Sequence, residues 1–292
     1  MRSPACVACG TATNQGDRWF DHLWRCRHCT LVFADLEAYP DTDRQYRESF
    51  FRGDAYRDYV DDRETLQRNL RRHLARIRQY RPSGRMFEIG CAYGFFLDLA
   101  KEFWQVEGID ISATAADYAR RILGVDAFSG DFLAHPIEAG TIDVFCLWDT
   151  LEHLRRPDLY VEKMARCLRP AGIVCLTTGD VRSLNARFRG RKWRLIIPPT
   201  HLYYFSRNSL AALFARYGMT LVSSRYVGYH RRVSSMIHQI PGLSRLSADN
   251  VHFRRLTEAV GKRDLYVNLF DILFVVAMKP AERQLLGRGT PR

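Results

Sequence analysis

Apolar positions along this chain change period, and the changes mark its elements. Between residues 61 and 80, Leu66, Leu70, Leu74 and Ile77 recur at three- and four-residue spacing with arginines around them. That spacing gathers them on one face and predicts an amphipathic helix, ended by Pro82-Ser83-Gly84. Met86-Phe87-Glu88-Ile89 is then a short apolar run closed by Gly90, which predicts a buried strand and a tight turn. A helix and a second strand follow, the strand ending at Gly108-Ile109-Asp110. A weaker third strand ends at Ser129-Gly130-Asp131, a fourth covers 143–148, and Pro170-Ala171-Gly172 precedes a fifth at 173–178. Ser206 is suited to cap a helix over 208–217, with Gly218 as its terminator, and strands are expected at 219–226 and 271–278. Strands alternating with helices predict an α/β fold with helices on both faces of a Rossmann-like sheet.

The same pattern divides the chain. Residues 1–34 are a small cysteine-bearing unit, and 35–60 form a polar linker or partial lid with Phe50, Phe51, Tyr56 and Tyr59. The main domain spans 61–280, with an insertion at about 229–268 carrying helical patches at 233–240 and 253–260. Residues 281–292 read as a flexible tail. The most apolar stretch, 265–278, contains Asn268 and Asp271 and is too short to span a bilayer. A cytoplasmic protein is expected, with peripheral membrane contact left open.

Charge is uneven. The net charge is +12, yet residues 182–263 hold 16 lysines and arginines against 2 acids. The tightest cluster, Arg182, Arg187, Arg189, Arg191, Lys192 and Arg194, contains no acid and marks a candidate substrate contact for an anionic acceptor.

Of the 8 cysteines, Cys91, Cys146, Cys167 and Cys175 sit among apolar neighbours and read as core. Cys6, Cys9, Cys26 and Cys29 form two C-x-x-C pairs, the spacing of a structural zinc site, with a four-thiolate iron site and two disulfides as the alternatives. Each pair converges on a tight knuckle, and two knuckles complete a tetrahedron. About thirty residues bury too little core to fold alone, so metal bonds would supply the missing free energy. Strands are expected over 17–24 and 31–33, with His22 and His28 on the surface.

The segment from Glu88 to Gly94 reads E-x-G-x-x-x-G, and Asp110 follows at the end of the second strand. A dinucleotide fingerprint laid on Gly90 would need glycine at Ala92 and Phe95. The segment instead resembles the first motif of class I S-adenosylmethionine-dependent methyltransferases, with Ala92 replacing the middle glycine. That resemblance implies their seven-stranded sheet. It also implies a cofactor cradle of Glu88, Gly90, Cys91, Ala92 and Gly94, with Asp110 on the ribose, Ile111 beside it, Asp131 and Phe132 at the adenine, and Trp148 at the fourth strand.

Trp148, Asp149, Glu152 and His153 stand together at the end of that strand. Histidine titrates near neutrality and a neighbouring carboxylate tunes it, so His153 is the candidate base and Glu152 its partner or a second acid/base. Adjacent helical residues point about 100° apart, so one of the two is expected to face the ligand. A second candidate segment, His201-Leu202-Tyr203-Tyr204-Phe205-Ser206, resembles the H-L-x-x-F-S element of bacterial methyltransferases with Leu-Glu-His after the fourth strand. It adds His201 and Tyr204. The order of zinc ribbon then catalytic domain is similar to that of sugar C-methyltransferases. The expected function is methyl transfer to O or C of a small or glycan acceptor, such as a sugar, phosphorylated glycolipid or secondary metabolite. The alternatives are RNA methylation, suggested by the ribbon and the basic half, and a non-catalytic cofactor-binding adaptor. The fourth strand's end lacks the N/D-P-P-Y/F motif used for base nitrogens.

Overall fold

The computed structural model describes residues 5–12, 16–20, 22–39, 60, 62–233 and 264–281. Its centre is a sheet of seven strands: β4 (Gly84–Ile89), β5 (Trp104–Asp110), β6 (Asp126–Ser129), β7 (Ile142–Trp148), β8 (Leu168–Gly179), β10 (Thr220–Tyr226) and β13 (Ile272–Met278). They lie in the order β10-β13-β8-β7-β4-β5-β6, and β13 alone runs against its neighbours. Strand order reverses between β4 and β7, which opens a crevice beyond their carboxyl ends.

Central strands of such a sheet are covered on both sides, so they need apolar residues at every position rather than every second one. In β7, Val144 and Cys146 pack into one core, and Phe145 and Leu147 into the other. Cys91, Cys146 and Cys175 belong to the first core and Cys167 to the second, all buried. The helices are α1 (Arg63–Arg78), α2 (Phe95–Ala100), α3 (Ala113–Leu123), α4 (Pro157–Cys167), α5 (Leu184–Arg189) and α6 (Arg207–Arg216). Ser206 caps α6 through a capping box with Ser209, as its position before the helix predicts. Among the described residues, no helix is long and apolar enough to cross a membrane.

Two expectations change. Pro170-Ala171-Gly172 does not precede the fifth strand but lies inside β8. The strand accommodates it with a register shift against β7 and with Ala171 at φ +58°. The start and end of the insertion are strands: β11 (Tyr229–Arg232) pairs with β12 (Asp264–Val267). The helical patch at 253–260, nearly all of the patch at 233–240, most of the linker over 35–60 and almost all of the 281–292 tail lie outside the described residues.

The cysteine unit is not a separate body. Strands β1 (Gly16–Phe20), β2 (Leu23–Cys26) and β3 (Val32–Ala34) form a small antiparallel sheet whose fourth strand, β9 (Tyr203–Tyr204), comes from the main domain. Ala34 N donates to Leu202 O at 2.8 Å, and Arg216 Nη1 to Val7 O at 2.6 Å. Cys6, Ala8, Leu31 and Val32 share one apolar core with Phe87, Leu151, Leu202 and Phe214.

Candidate active site

A cavity of about 430 Å³ opens at the crevice. Its floor is the turn after β4. Gly90 takes φ +76°, and a Cβ there would fall 2.7 Å from Thr150 Oγ1. Gly94 also takes φ +76° and starts α2, where a Cβ would lie 2.8 Å from the Ala119 side chain. Both positions therefore require glycine. Between them Ala92 holds φ +46°, the left-handed region that glycine enters without strain. The cost is offset locally, because Ala92 N donates to Asp110 Oδ2 at 2.8 Å.

Asp110 fastens this turn to the next loop, accepting from Ser112 N through its other oxygen at 2.8 Å. Burial still raises its pKa against those two hydrogen bonds. Glu88 is buried, its Oε2 has no hydrogen-bond partner among the described residues, and burial with the nearby Asp110 charge holds its pKa well above the usual range. An orphaned carboxylate oxygen beside a glycine-built cradle is what a polar, positively charged ligand would satisfy. Ile111, Asp131, Phe132 and Trp148 line the same cavity, as do Cys91 and Ala92. Asp131 Oδ1 meanwhile accepts from Leu133 N at 2.9 Å and Tyr160 Oη at 2.8 Å. Gly94 stands behind the lining, shaping it through α2.

The second wall carries the acid–base groups. Leu151–His153 is a single 3-10 turn after β7, and it separates the pair as adjacent positions must: His153 lines the cavity and Glu152 points into the core. His153 Nδ1 lies 2.7 Å from the Thr200 carbonyl, and His201 Nδ1 lies 3.0 Å from that of Leu195. A carbonyl only accepts, so each Nδ1 carries the proton and each Nε2 is the basic nitrogen. The two rings meet edge to face at 4.7 Å. Burial lowers the His153 pKa to about 4, against the Thr200 and Asp149 carbonyls, which favour the charged ring. Burial likewise lowers His201 to about 3, helped by the facing His153. Burial and the Asp149 charge push Glu152 up to about 8, so near neutrality this cluster is a carboxylic acid beside two neutral imidazoles.

Several sequence candidates lie outside the cavity lining. His201 and Tyr204 do not line it. Tyr204 is buried in β9, its hydroxyl donating to His201 O at 3.0 Å, so it braces the segment. Arg187, Arg189, Arg191, Lys192 and Arg194, on the segment that follows β8, are also absent from the lining. Arg194 instead pairs with the buried Asp271 at 2.9 Å. In their place the structure contributes groups the sequence did not single out for the site. Leu66, Asn69, Leu70 and His73 arrive from α1, and Tyr229 from β11, its hydroxyl reaching Asp149 Oδ2 at 3.3 Å. His73 stacks on Trp148 at 4.8 Å. A histidine among the periodic leucines of α1 was a visible signal, whereas Tyr229 carries none.

The four N-terminal cysteines converge. Cys6 and Cys29 sulfurs stand 3.6 Å apart, as do those of Cys9 and Cys26, and all four lie within 4.8 Å of one another. A disulfide needs about 2.05 Å. Four sulfurs at about 2.3 Å from a central ion lie roughly 3.8 Å apart.

A seven-stranded sheet of this order, with a glycine turn and an acid facing one cavity at the crevice, defines a Rossmann-like methyltransferase fold. A family model described as a methyltransferase domain matches residues 62–224, over half of the 292 residues. The chain is 32% identical over 190 residues to a ubiquinone biosynthesis O-methyltransferase of Cupriavidus pinatubonensis, covering 60% of this chain and 74% of that protein. A protein of the same description from Chelativorans is 32% identical over 108 residues, covering 35% and 42% respectively. In fold it is similar to an S-adenosylmethionine-dependent methyltransferase of Archaeoglobus fulgidus, at TM-score 0.53 and 17% identity, covering 77% of this chain and 100% of that one. The chain belongs to the methyltransferase-domain family. It is an S-adenosylmethionine-dependent methyltransferase.

Proposed function

We propose that this enzyme methylates a hydroxyl oxygen of a small acceptor, with His153 as the general base. The observation that carries the reading is the neutral His153 imidazole on the cavity wall opposite the cradle, its tautomer fixed by Thr200. When bound, S-adenosylmethionine supplies a methyl group already activated on a sulfonium, so the protein's part is to align the acceptor and remove its proton. Asp110 would hold the ribose hydroxyls, Glu88 and the backbone of Gly90 to Ala92 the amino-acid end, and Ile111, Asp131 and Phe132 the base. His153 Nε2 takes the proton from the acceptor's hydroxyl, making its oxygen the stronger nucleophile. The Asp149 carbonyl stabilises the imidazolium that results. His201 and Glu152 pack behind His153 and fix its orientation. The name of the relative from Cupriavidus, an O-methyltransferase, points the same way.

We also propose a structural zinc ion on Cys6, Cys9, Cys26 and Cys29. Four thiolates fill every position of a tetrahedral site, which leaves no place for substrate.

Incubation with labelled methyl donor and, separately, phenolic and sugar hydroxyl acceptors, a glycolipid extract and RNA tests the reaction. Label on a hydroxyl oxygen is the expected result. Label in RNA, or on carbon or nitrogen alone, would displace it.

A further inference from the structure

Large apolar side chains seldom stand fully exposed on a rigid support unless something covers them. Residues 182–197 form a strap leaving β8, and its helix α5 (Leu184–Arg189) presents Leu184 and Phe188 one turn apart, 81% and 93% exposed. The strap is pinned from below. Asn185 Nδ2 and Trp193 Nε1 both donate to Asp271 Oδ2, at 2.8 and 2.9 Å, and Arg194 donates to Oδ1. Asp271 and Trp193 are buried, and Ser183 caps α5 through Ala186 N. Beside the same anchor, Phe270 is 63% exposed and held at φ +53°. The segment is cationic: Arg182, Arg187, Arg189, Arg191 and Lys192 are exposed, Arg191 lying over Phe20 of β1 at 4.8 Å. No acid occurs anywhere between residues 181 and 248.

We propose that this strap seats the enzyme on an anionic lipid surface, with Leu184 and Phe188 entering the headgroup–acyl boundary and the arginines meeting lipid phosphates. An exposed apolar pair on a segment whose charged side chains are all cations complements a surface that is apolar beneath and anionic above. Polarity and position agree. β8 runs parallel to β7, so the strap leaves the same edge of the sheet at which Trp148 and His153 border the cavity. Seating the strap therefore turns the cavity's edge toward the bilayer, where a lipid-borne acceptor would be met. The surface stands independently of the acceptor atom and base proposed above.

Sedimentation of the full-length protein with phosphatidylglycerol–phosphatidylcholine vesicles, and with pure phosphatidylcholine vesicles, tests this. The anionic vesicles should bind at least about tenfold more tightly. Leu184→Ser with Phe188→Ser should lower that partition at least about tenfold. Arg187→Gln with Arg189→Gln should lower it by about fivefold per charge and flatten its salt dependence. Melting temperature and S-adenosylhomocysteine binding should stay at wild-type values in both variants, which separates this result from failure of the methyltransferase site. Equal binding to both vesicle types, or undiminished binding by the serine variant, would overturn the proposal. So would a serine variant that only splits a dimer on gel filtration, or a strap that binds RNA and not vesicles, since the patch would then serve another partner.

Discussion

His153→Ala should lower turnover by about 100- to 10,000-fold, the usual contribution of a positioned general base, while S-adenosylhomocysteine affinity stays within about twofold. The split follows from the geometry. The ring lines the wall formed after β7, whereas the contacts proposed for the donor lie on the turn after β4 and at Asp110. The pH profile supplies a second readout. Burial has lowered the folded pKa of His153 to about 4, below the ordinary value near 6.5. The neutral, proton-accepting ring is therefore present above that value, and activity is lost only as pH falls through it. An acid limb near pH 6.5, or near-normal turnover in the alanine variant, would remove His153 from the chemistry.

Replacing Cys6 and Cys9 by Ser should be the most damaging change outside the cavity. Zinc should fall from about one per chain to none, and the melting temperature should drop by on the order of 10 °C. Metal binding and folding are coupled in so small a unit, and here the unit is built into the catalytic domain. β3 pairs with β9, Ala34 N holds Leu202 O, and Leu202 N holds Glu152 O at 2.9 Å. This chain of bonds runs from the cysteine knuckles to the turn that carries His153, so turnover should fall as well. Donor affinity should survive, because this chain of bonds leads to the turn after β7 and not to the turn after β4. Metal analysis and calorimetric melting decide it: a variant that keeps wild-type melting and full turnover would make the cysteine unit an appendage.

The strands and the glycine turn were legible because each was announced locally. Apolar runs flanked by glycine mark buried parallel strands, and Gly90 and Gly94 do occupy conformations that other residues adopt with strain. Boundaries were legible where a side chain makes them, as with Ser206. What failed to show was whatever depends on distant partners. Tyr203–Tyr204 is two residues long and has no period, so nothing in it announces an edge strand for the cysteine unit. Its aromatics read instead as substrate contacts. Pro170-Ala171-Gly172 has the composition of a turn, yet the flanking register with β7 and β13 carries the strand through it. The arginine cluster fixed the sign of a surface but not its place, and the cavity is lined by α1 and β11 residues of which His73 alone stands out in the sequence.

The account stands on the cavity between the glycine turn and Asp110 holding the methyl donor, and isothermal calorimetry with S-adenosylhomocysteine tests that directly. Wild-type protein should bind one equivalent, and Asp110→Ala should weaken binding by about 100-fold as two charge-assisted hydrogen bonds are lost. Unchanged affinity in that variant, or no binding by a folded wild-type protein, would contradict the assignment of the cradle.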